Sequence, residues 1–153
     1  MQTIDIISPS LGGADDERAH ATRVAAVRRL QRAQVTEARR IRAIVADRYG
    51  LTPAQLRSPC RQRTVAEARQ VAMYLIRVDL CWPLGTGARA RNERFPAQRI
   101  GRLLGGRDHA TVLHGVGAIA ARLAGDHTLR YMVRSIRATR DATYEDDTDR
   151  HTT

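Results

Sequence analysis

Residues 105–111, which read GGRDHAT, place an arginine, an acid, a histidine and a threonine directly after two glycines. Asp108 is a typical helix N-cap, so we predict that a helix begins at His109. Arginine can bond guanine edges or phosphate, aspartate can accept from a cytosine amine, and the Ala110 methyl can touch a thymine methyl. The free amides and the dipole of a helix start also favour phosphate. The segment therefore favours a helix end that reads the major groove of DNA.

For the start of this helix to reach DNA, a preceding helix must pack closely across it. The segment IGRLLGGRDHATVLH predicts a helix-turn-helix, with Gly101 as the small residue at the crossing and Gly105 in the turn. In that arrangement the second helix enters the major groove with its first residues foremost. The apolar residues expected to bury the joint are Ile100, Leu104, Val112 and Leu113.

Two other kinds of chemistry are weaker explanations of the same residues. An enzyme using Asp108 and His109 is disfavoured because adjacent residues on a helix point about 100° apart. A metal site drawn from Cys60, Cys81 and the histidines lacks any CxxC or HxxxH pair. We therefore expect neither catalysis nor a bound metal or other cofactor.

The charge of the chain agrees with a nucleic-acid partner. The formal net charge is +10, the chain has no lysine, and residues 37–140 hold 20 arginines against 7 acids. A basic folded unit favours nucleic acid, with an anionic membrane surface or an acidic protein as alternatives. Neither a secretory signal nor a transmembrane span is visible, so a cytoplasmic protein with reduced thiols is expected.

The pattern along the chain predicts an all-α fold with no strand. Residues 1–36 are interpreted as an N-terminal arm with a weakly amphipathic basic helix, and the pattern leaves open whether that helix continues into the next. Residues 37–140 form the predicted compact helical bundle, interrupted by a loop at 82–95. Residues 141–153 are acidic and polar and are expected to be a disordered tail.

Two segments of the bundle are recognisable. RQRTVAEARQVAMYLIR, followed by IGRLLGGRDHATVLHGV, resembles the C-terminal helix-turn-helix domain, domain IV, of the bacterial replication initiator DnaA. The resemblance covers roughly residues 37–140, and its most specific part is GGRDHATVLH. It implies a compact helical domain of the DnaA C-terminal or Trp-repressor-like type that binds the DnaA box. The remaining arginine-rich loop 57–63, RSPCRQR, then lies near the minor groove.

The resemblance also implies roles for particular residues. Arg61, with Arg63 in the same loop, matches the arginine that enters the minor groove, where groove width and A·T content can be read. Arg69 and Gln70 match a pair near the DNA at the start of the third helix, and Arg77 a phosphate-facing position. The base-reading and phosphate-contacting string is Arg107, Asp108, His109, Ala110 and Thr111, and Gln98 completes the candidate DNA-binding set.

Three departures from the family pattern accompany this match. Ala110 stands where the family often has threonine, Gln98 lies where proline is common, and residues 82–95 are expected to be an insertion. A P-loop needs a lysine that this chain does not contain, so no ATPase module and no bound nucleotide are expected. We therefore expect the DNA-binding domain of the family alone, as a stand-alone protein.

The resulting hypothesis is sequence-specific binding of double-stranded DNA at DnaA-box-like sites. The expected setting is the nucleoid, in replication initiation or its regulation. A transcription regulator and a non-specific architectural DNA-binding protein stay open as alternatives. Residues 17–35 are a candidate helix for a protein partner, and no membrane partner is expected.

Overall fold

The computed structural model describes residues 12–149 of the chain. Within these residues lie six α-helices and one pair of antiparallel strands. A single 3-10 turn, Gly87–Arg89, joins the two strands. In chain order the elements are α1 Gly12–Arg48, α2 Pro53–Arg57, α3 Arg63–Asp79, β1 Cys81–Leu84, β2 Arg91–Arg94, α4 Ala97–Leu103, α5 His109–Leu123 and α6 His127–Asp149. The predicted all-α bundle with a helix-turn-helix is confirmed.

The core is built around α3. Its apolar residues recur at helical spacing and are almost fully buried, because α1 and both helices of the helix-turn-helix, α4 and α5, pack around it. From α1 the core receives Ile41 and Val45, and from α6 it receives Leu129, Val133 and Ile136. Phe95, just after β2, is also completely buried. This packing fixes the orientation of α4 and α5 relative to α3.

Local signals at helix ends are largely as predicted. Gly50 follows α1 with φ of 66°, and Thr52 caps α2 by accepting a hydrogen bond from the Gln55 amide. The spacing of Thr64 and Glu67 is that of a capping box and predicts a helix start at Thr64, which is wrong. Helix α3 already begins at Arg63, with Gln62 as the flanking residue and no side-chain cap.

The expectation of an unstructured loop over residues 82–95 is wrong. β1 and β2 pair antiparallel, with Cys81 opposite Arg94 and Leu84 opposite Arg91. All four residues of β2 are exposed and β1 contains Pro83, so the alternating pattern that reveals a strand is missing. The hairpin is held by Trp82, which is buried and meets the Phe95 ring edge-on at 5.1 Å between centroids.

The two ends of the chain are more helical than expected. α1 runs without a break through residue 36, so the basic segment and the next helix are continuous. Pro9, Gly12 and Gly13 predict a loose segment over residues 1–16, which is wrong for residues 12–16 because they begin α1, and residues 1–11 lie outside the described residues. The expected disordered tail is wrong for residues 141–149, which continue α6, and residues 150–153 again lie outside.

Contacts to α1 explain the helical tail. Arg40 donates to the Asp147 carboxylate at 2.6 Å, and the Tyr144 hydroxyl donates to Glu37 at 3.0 Å. These contacts join residues far apart in sequence, so composition alone does not reveal them. Among residues 12–149, no helix combines the length and apolar composition that a bilayer crossing requires.

Candidate nucleic-acid interface

The turn between α4 and α5 depends on its glycines. A Cβ on Gly101 would lie 1.9 Å from the carbonyl oxygen of Arg107, so the crossing excludes any larger residue. Gly105 and Gly106 have φ of 91° and 80°, in the region that favours glycine. The amides of Gly106 and Arg107 both donate to the Gly101 carbonyl, at 2.9 and 3.0 Å. The turn is therefore tightly closed.

The apolar joint of the helix-turn-helix is mostly as predicted. Ile100, Leu104 and Val112 are fully buried. Leu113 is 43% exposed, so its predicted place in the joint is wrong. The small residue that helps α5 approach α3 is Gly115, because a Cβ there would lie 2.8 Å from the Met73 sulfur.

The first turn of α5 is solvent-exposed and capped by Asp108. One carboxylate oxygen of Asp108 accepts from the Thr111 amide at 2.8 Å, and the other accepts from the Thr111 hydroxyl at 3.1 Å. The Thr111 hydrogen bonds lower the pKa of Asp108 because they stabilise the charged carboxylate. His109 and Ala110 are also exposed. The helix therefore begins with an open surface whose backbone is fixed by the cap.

Arg69 holds the arginine-rich loop from inside the domain. Its guanidinium donates to the carbonyl oxygens of Leu56, Ser58 and Cys60, at 2.9, 2.8 and 3.2 Å. The residue is 7% exposed, and its burial, with Arg107 close by, lowers its pKa. Its donors are therefore used within the protein to hold the loop, and its place close to the DNA stays a prediction.

Arg107 connects this loop to the helix-turn-helix. Its guanidinium donates to Leu104 O at 2.8 Å and to Ser58 O at 2.9 Å. The Ser58 carbonyl thus accepts from arginines on both sides, Arg69 of α3 and Arg107 of the turn. The loop and the start of α5 are therefore parts of one hydrogen-bonded unit, although 49 residues separate Ser58 and Arg107.

The other predicted site residues divide into exposed and bracing groups. Arg61 and Arg63 are exposed in and directly after the loop, and Gln98 is exposed on the first turn of α4. Gln70 is half-buried, with its aliphatic carbons against Gly115. Arg77 is half-buried and donates to Phe95 O at 2.7 Å, which braces the end of the hairpin, and its phosphate-facing position stays a prediction.

Further exposed arginines surround this surface without having been singled out. Arg57 precedes the loop, and its carbonyl oxygen lies 2.0 Å from the position of a Cβ on Gly105. Arg99 and Arg102 are exposed on α4, and Arg39 is exposed on α1. The sequence shows that these arginines recur at helical spacing. That spacing does not distinguish an exposed arginine from one whose guanidinium binds within the protein.

Comparison with known proteins identifies this arrangement. Residues 38–84 match the family model described as the bacterial dnaA protein helix-turn-helix. The chain carries a DnaA-type helix-turn-helix domain. The match to the DnaA family model ends at the last residue of β1, where the hairpin interrupts the domain.

Individual DnaA proteins agree with the family match. The chain is 40% identical over 107 residues to the chromosomal replication initiator protein DnaA of Chloroflexus aurantiacus, which covers 70% of this chain and 20% of that protein. It is 38% identical over 94 residues to the DnaA of Thermomicrobium roseum, covering 61% and 17%, and 33% identical over 108 residues to that of Spiroplasma citri, covering 71% and 21%. The chain spans about a fifth of the length of these relatives.

Proposed function

We propose that this chain binds double-stranded DNA and recognises DnaA-box-like sites, in replication initiation or its regulation. The observation that carries the proposal is the shared Ser58 carbonyl, which ties the loop of Arg61 to the start of α5. Because Arg69 and Arg107 hold both parts, a minor-groove loop and a major-groove helix can meet one duplex with little reorganisation, which favours affinity.

The chemistry of each part fits its proposed groove. His109, Ala110 and Thr111 begin an exposed helix, where side chains reach base edges. The amides of the same helix end and its dipole favour a phosphate beside them. Arg61 is exposed in its loop, and an arginine in the minor groove responds to groove width.

An unbiased selection of bound duplexes from a random pool tests this proposal. We expect a DnaA-box-like motif to be enriched, followed by tighter binding to the selected site than to a scrambled duplex at physiological salt. His109→Ala and Arg61→Ala should each weaken specific binding by about 1–3 kcal/mol. Arg134→Ala is the matched control, since Arg134 is exposed on α6. Equal affinity for selected and scrambled duplexes would overturn the proposal.

A non-specific architectural role is the second candidate, favoured by the excess of exposed arginines. It predicts a steep dependence of affinity on salt together with no preference among sequences. The selection would then enrich no motif, and His109→Ala would have no larger effect than the control. A transcription regulator would share the binding chemistry and would differ in the genomic position of its sites.

A further inference from the structure

A row of exposed arginines lies on α1, away from the helix-turn-helix. Arg28, Arg32 and Arg39 are separated by four and seven residues, so they share one face of the helix. Within the described part of the chain, none of them has a carboxylate within ion-pair distance.

Several arginines of α5 and α6, by contrast, form ion pairs with acids. Arg122 pairs with Glu67 and Asp126, and Arg137 and Arg140 both pair with Asp79. The acids Glu67, Asp79 and Asp126 are thus each paired with an arginine of α5 or α6. The face of α1 that carries Arg28, Arg32 and Arg39 keeps its positive charge uncompensated, which makes it attractive to an anion.

This face forms one wall of a groove whose other wall is the hairpin and α4. The groove, here called the arginine groove, encloses about 430 Å³. The Arg99 guanidinium lies 4.4 Å from the centre of the Trp82 ring, a cation–π distance that fixes a fourth cation at the groove. Its lining residues are Arg28, Gln31, Arg32, Val35, Thr36, Arg39, Trp82 and Arg99.

The hairpin holds this part of α1 in place. The Gln31 side-chain amide donates to Pro83 O at 2.8 Å, and Val24 and Val27 of α1 line a neighbouring groove with Gly85 and Thr86. The segment therefore has tertiary partners in the hairpin. An arginine row on a fastened helix loses less conformational entropy on binding than one on a free arm.

The arginine groove is continuous with the proposed DNA face. Arg42, the next residue of the row, donates to Leu103 O at 2.6 Å, at the end of α4. Burial lowers the pKa of Arg42, and so do the neighbouring charges of Arg57 and Arg39. The backbone carbonyl of Arg57 in turn lies against Gly105 of the turn, where the Arg107 guanidinium is also close. Positive charge thus runs from α1 to the helix-turn-helix.

We propose that the arginine groove holds the sugar–phosphate backbone of the same duplex, outside the base pairs read by α5. The inference rests on the proposed function. Eleven residues of helix separate Arg28 from Arg39, about 16 Å at a rise of roughly 1.5 Å per residue. That length equals the axial rise of about five base pairs, at roughly 3.4 Å per phosphate of one strand along the duplex axis. Guanidinium groups suit this role because their planar donor fork matches phosphate oxygens.

An acidic protein segment is the competing occupant. The groove offers it few side-chain anchors, because Trp82 is buried under Arg99 and Val35 is the one aliphatic residue in the lining. Protein interfaces of useful affinity depend on buried aromatic or aliphatic anchors, whereas backbone contacts to DNA depend on cations. Continuity with the helix-turn-helix also favours the duplex.

The experiment compares two DNA lengths and two variants of equal charge. The groove variant carries Arg28→Gln, Arg32→Gln and Arg39→Gln. The control carries Arg23→Gln, Arg29→Gln and Arg134→Gln, which are exposed arginines outside the lining. Each is titrated with a short duplex that holds only the selected site and with one extended by about 15 base pairs on both sides, a flank longer than the contact inferred from the phosphate spacing.

The expected result is a loss confined to the groove variant and the long duplex. Its affinity there should fall at least about tenfold, and the slope of log K against log salt should shrink by about 2.7, since three arginines are removed and roughly 0.9 counterion is released for each phosphate contact. Both variants should bind the short duplex like the unmodified chain.

Other outcomes overturn the inference in separable ways. Equal losses in both variants would mean that net charge, rather than the groove, sets the affinity. An unchanged long-duplex affinity in the groove variant would leave the groove free for an acidic partner. If the unmodified chain shows no preference for the short selected duplex, the proposed function fails first, and the two failures are thereby distinguished.

Discussion

At the scale of single residues, arginine has two different uses in this domain. Arg69 and Arg107 spend their donors on backbone carbonyls and hold the loop at Ser58, whereas Arg61 and the row on α1 are exposed. Both kinds look alike in the sequence. The difference is one of burial, since a buried guanidinium needs partners within the protein.

Substitution of Arg69 tests this distinction. Arg69→Gln removes three hydrogen bonds from a charged donor and takes this partner from the Leu56 and Cys60 carbonyls, so we expect the free energy of unfolding to fall by about 3 kcal/mol. DNA affinity should fall as well because the loop loses its support. Arg61→Gln should lower DNA affinity and leave Tm unchanged. Chemical denaturation and titration of both variants measure this, and equal stability of the two would contradict a bracing role.

The Asp108 cap predicts a dependence on pH. Its hydrogen bonds lower the folded-state pKa below the ordinary value of 3.8, so the stabilisation is present above that value and is lost as pH falls through the folded-state pKa. Asp108→Ala should therefore lower Tm at neutral pH. The difference in Tm between Asp108→Ala and the unmodified chain should shrink as the pH falls below 3.8, the ordinary pKa of aspartate. A gap independent of pH would exclude a contribution from the carboxylate charge.

At the scale of elements, the close approach of α4 to the turn predicts an unequal response to glycine substitution. Gly101→Ala would place a methyl group against the Arg107 carbonyl, so we expect a loss of about 3 kcal/mol or more in unfolding free energy. Gly117 lies inside α5 with nothing within 4 Å of an added Cβ. Gly117→Ala should raise stability by up to about 1 kcal/mol, because alanine favours the helix. Thermal denaturation compares the two, and similar effects would refute the tight crossing.

Helices with a strong apolar period were predictable from the sequence, and the hairpin was not. The pattern predicts a helix at 109–123, which is the range of α5, and one at 65–80, close to α3. In both, buried residues recur at helical spacing. β2 has four exposed polar residues, and its pairing with β1 depends on Trp82 reaching the core. Such a contact is long-range information that a local pattern does not carry.

At the scale of the whole molecule, α6 closes the bundle through charge as well as packing. Asp79 at the end of α3 accepts from Arg137 at 2.7 Å and from Arg140 at 2.9 Å, with only 9% of its side chain exposed. The hydrogen bonds to Asp79 raise the pKa of Arg137. The Asp79 carboxylate therefore joins the end of α3 to α6.

Removal of the Asp79 charge tests this closure. Asp79→Asn removes the acid that Arg137 and Arg140 share and leaves Arg140 only its contact with Asp141 at 3.2 Å, so we expect a loss of about 3 kcal/mol in unfolding free energy. Asp141→Asn is the control, because that carboxylate is 68% exposed and should contribute little. DNA affinity should stay unchanged in both variants. A loss of binding by folded Asp79→Asn would mean that α6 influences the reading surface.

The two ends of the hairpin lie side by side, because the Phe95 amide donates to Leu80 O at 3.3 Å. The distance from α3 to α4 is therefore independent of how many residues lie between these two positions. Residues can be added or removed at the tip, around Gly87, where an added Cβ meets nothing within 4 Å, and the register of the helices will not change. The exposed neighbour Ala88 suits a spectroscopic label that follows DNA engagement from outside the reading surface, because Gly87 itself has a φ of 58° that a side chain rarely adopts.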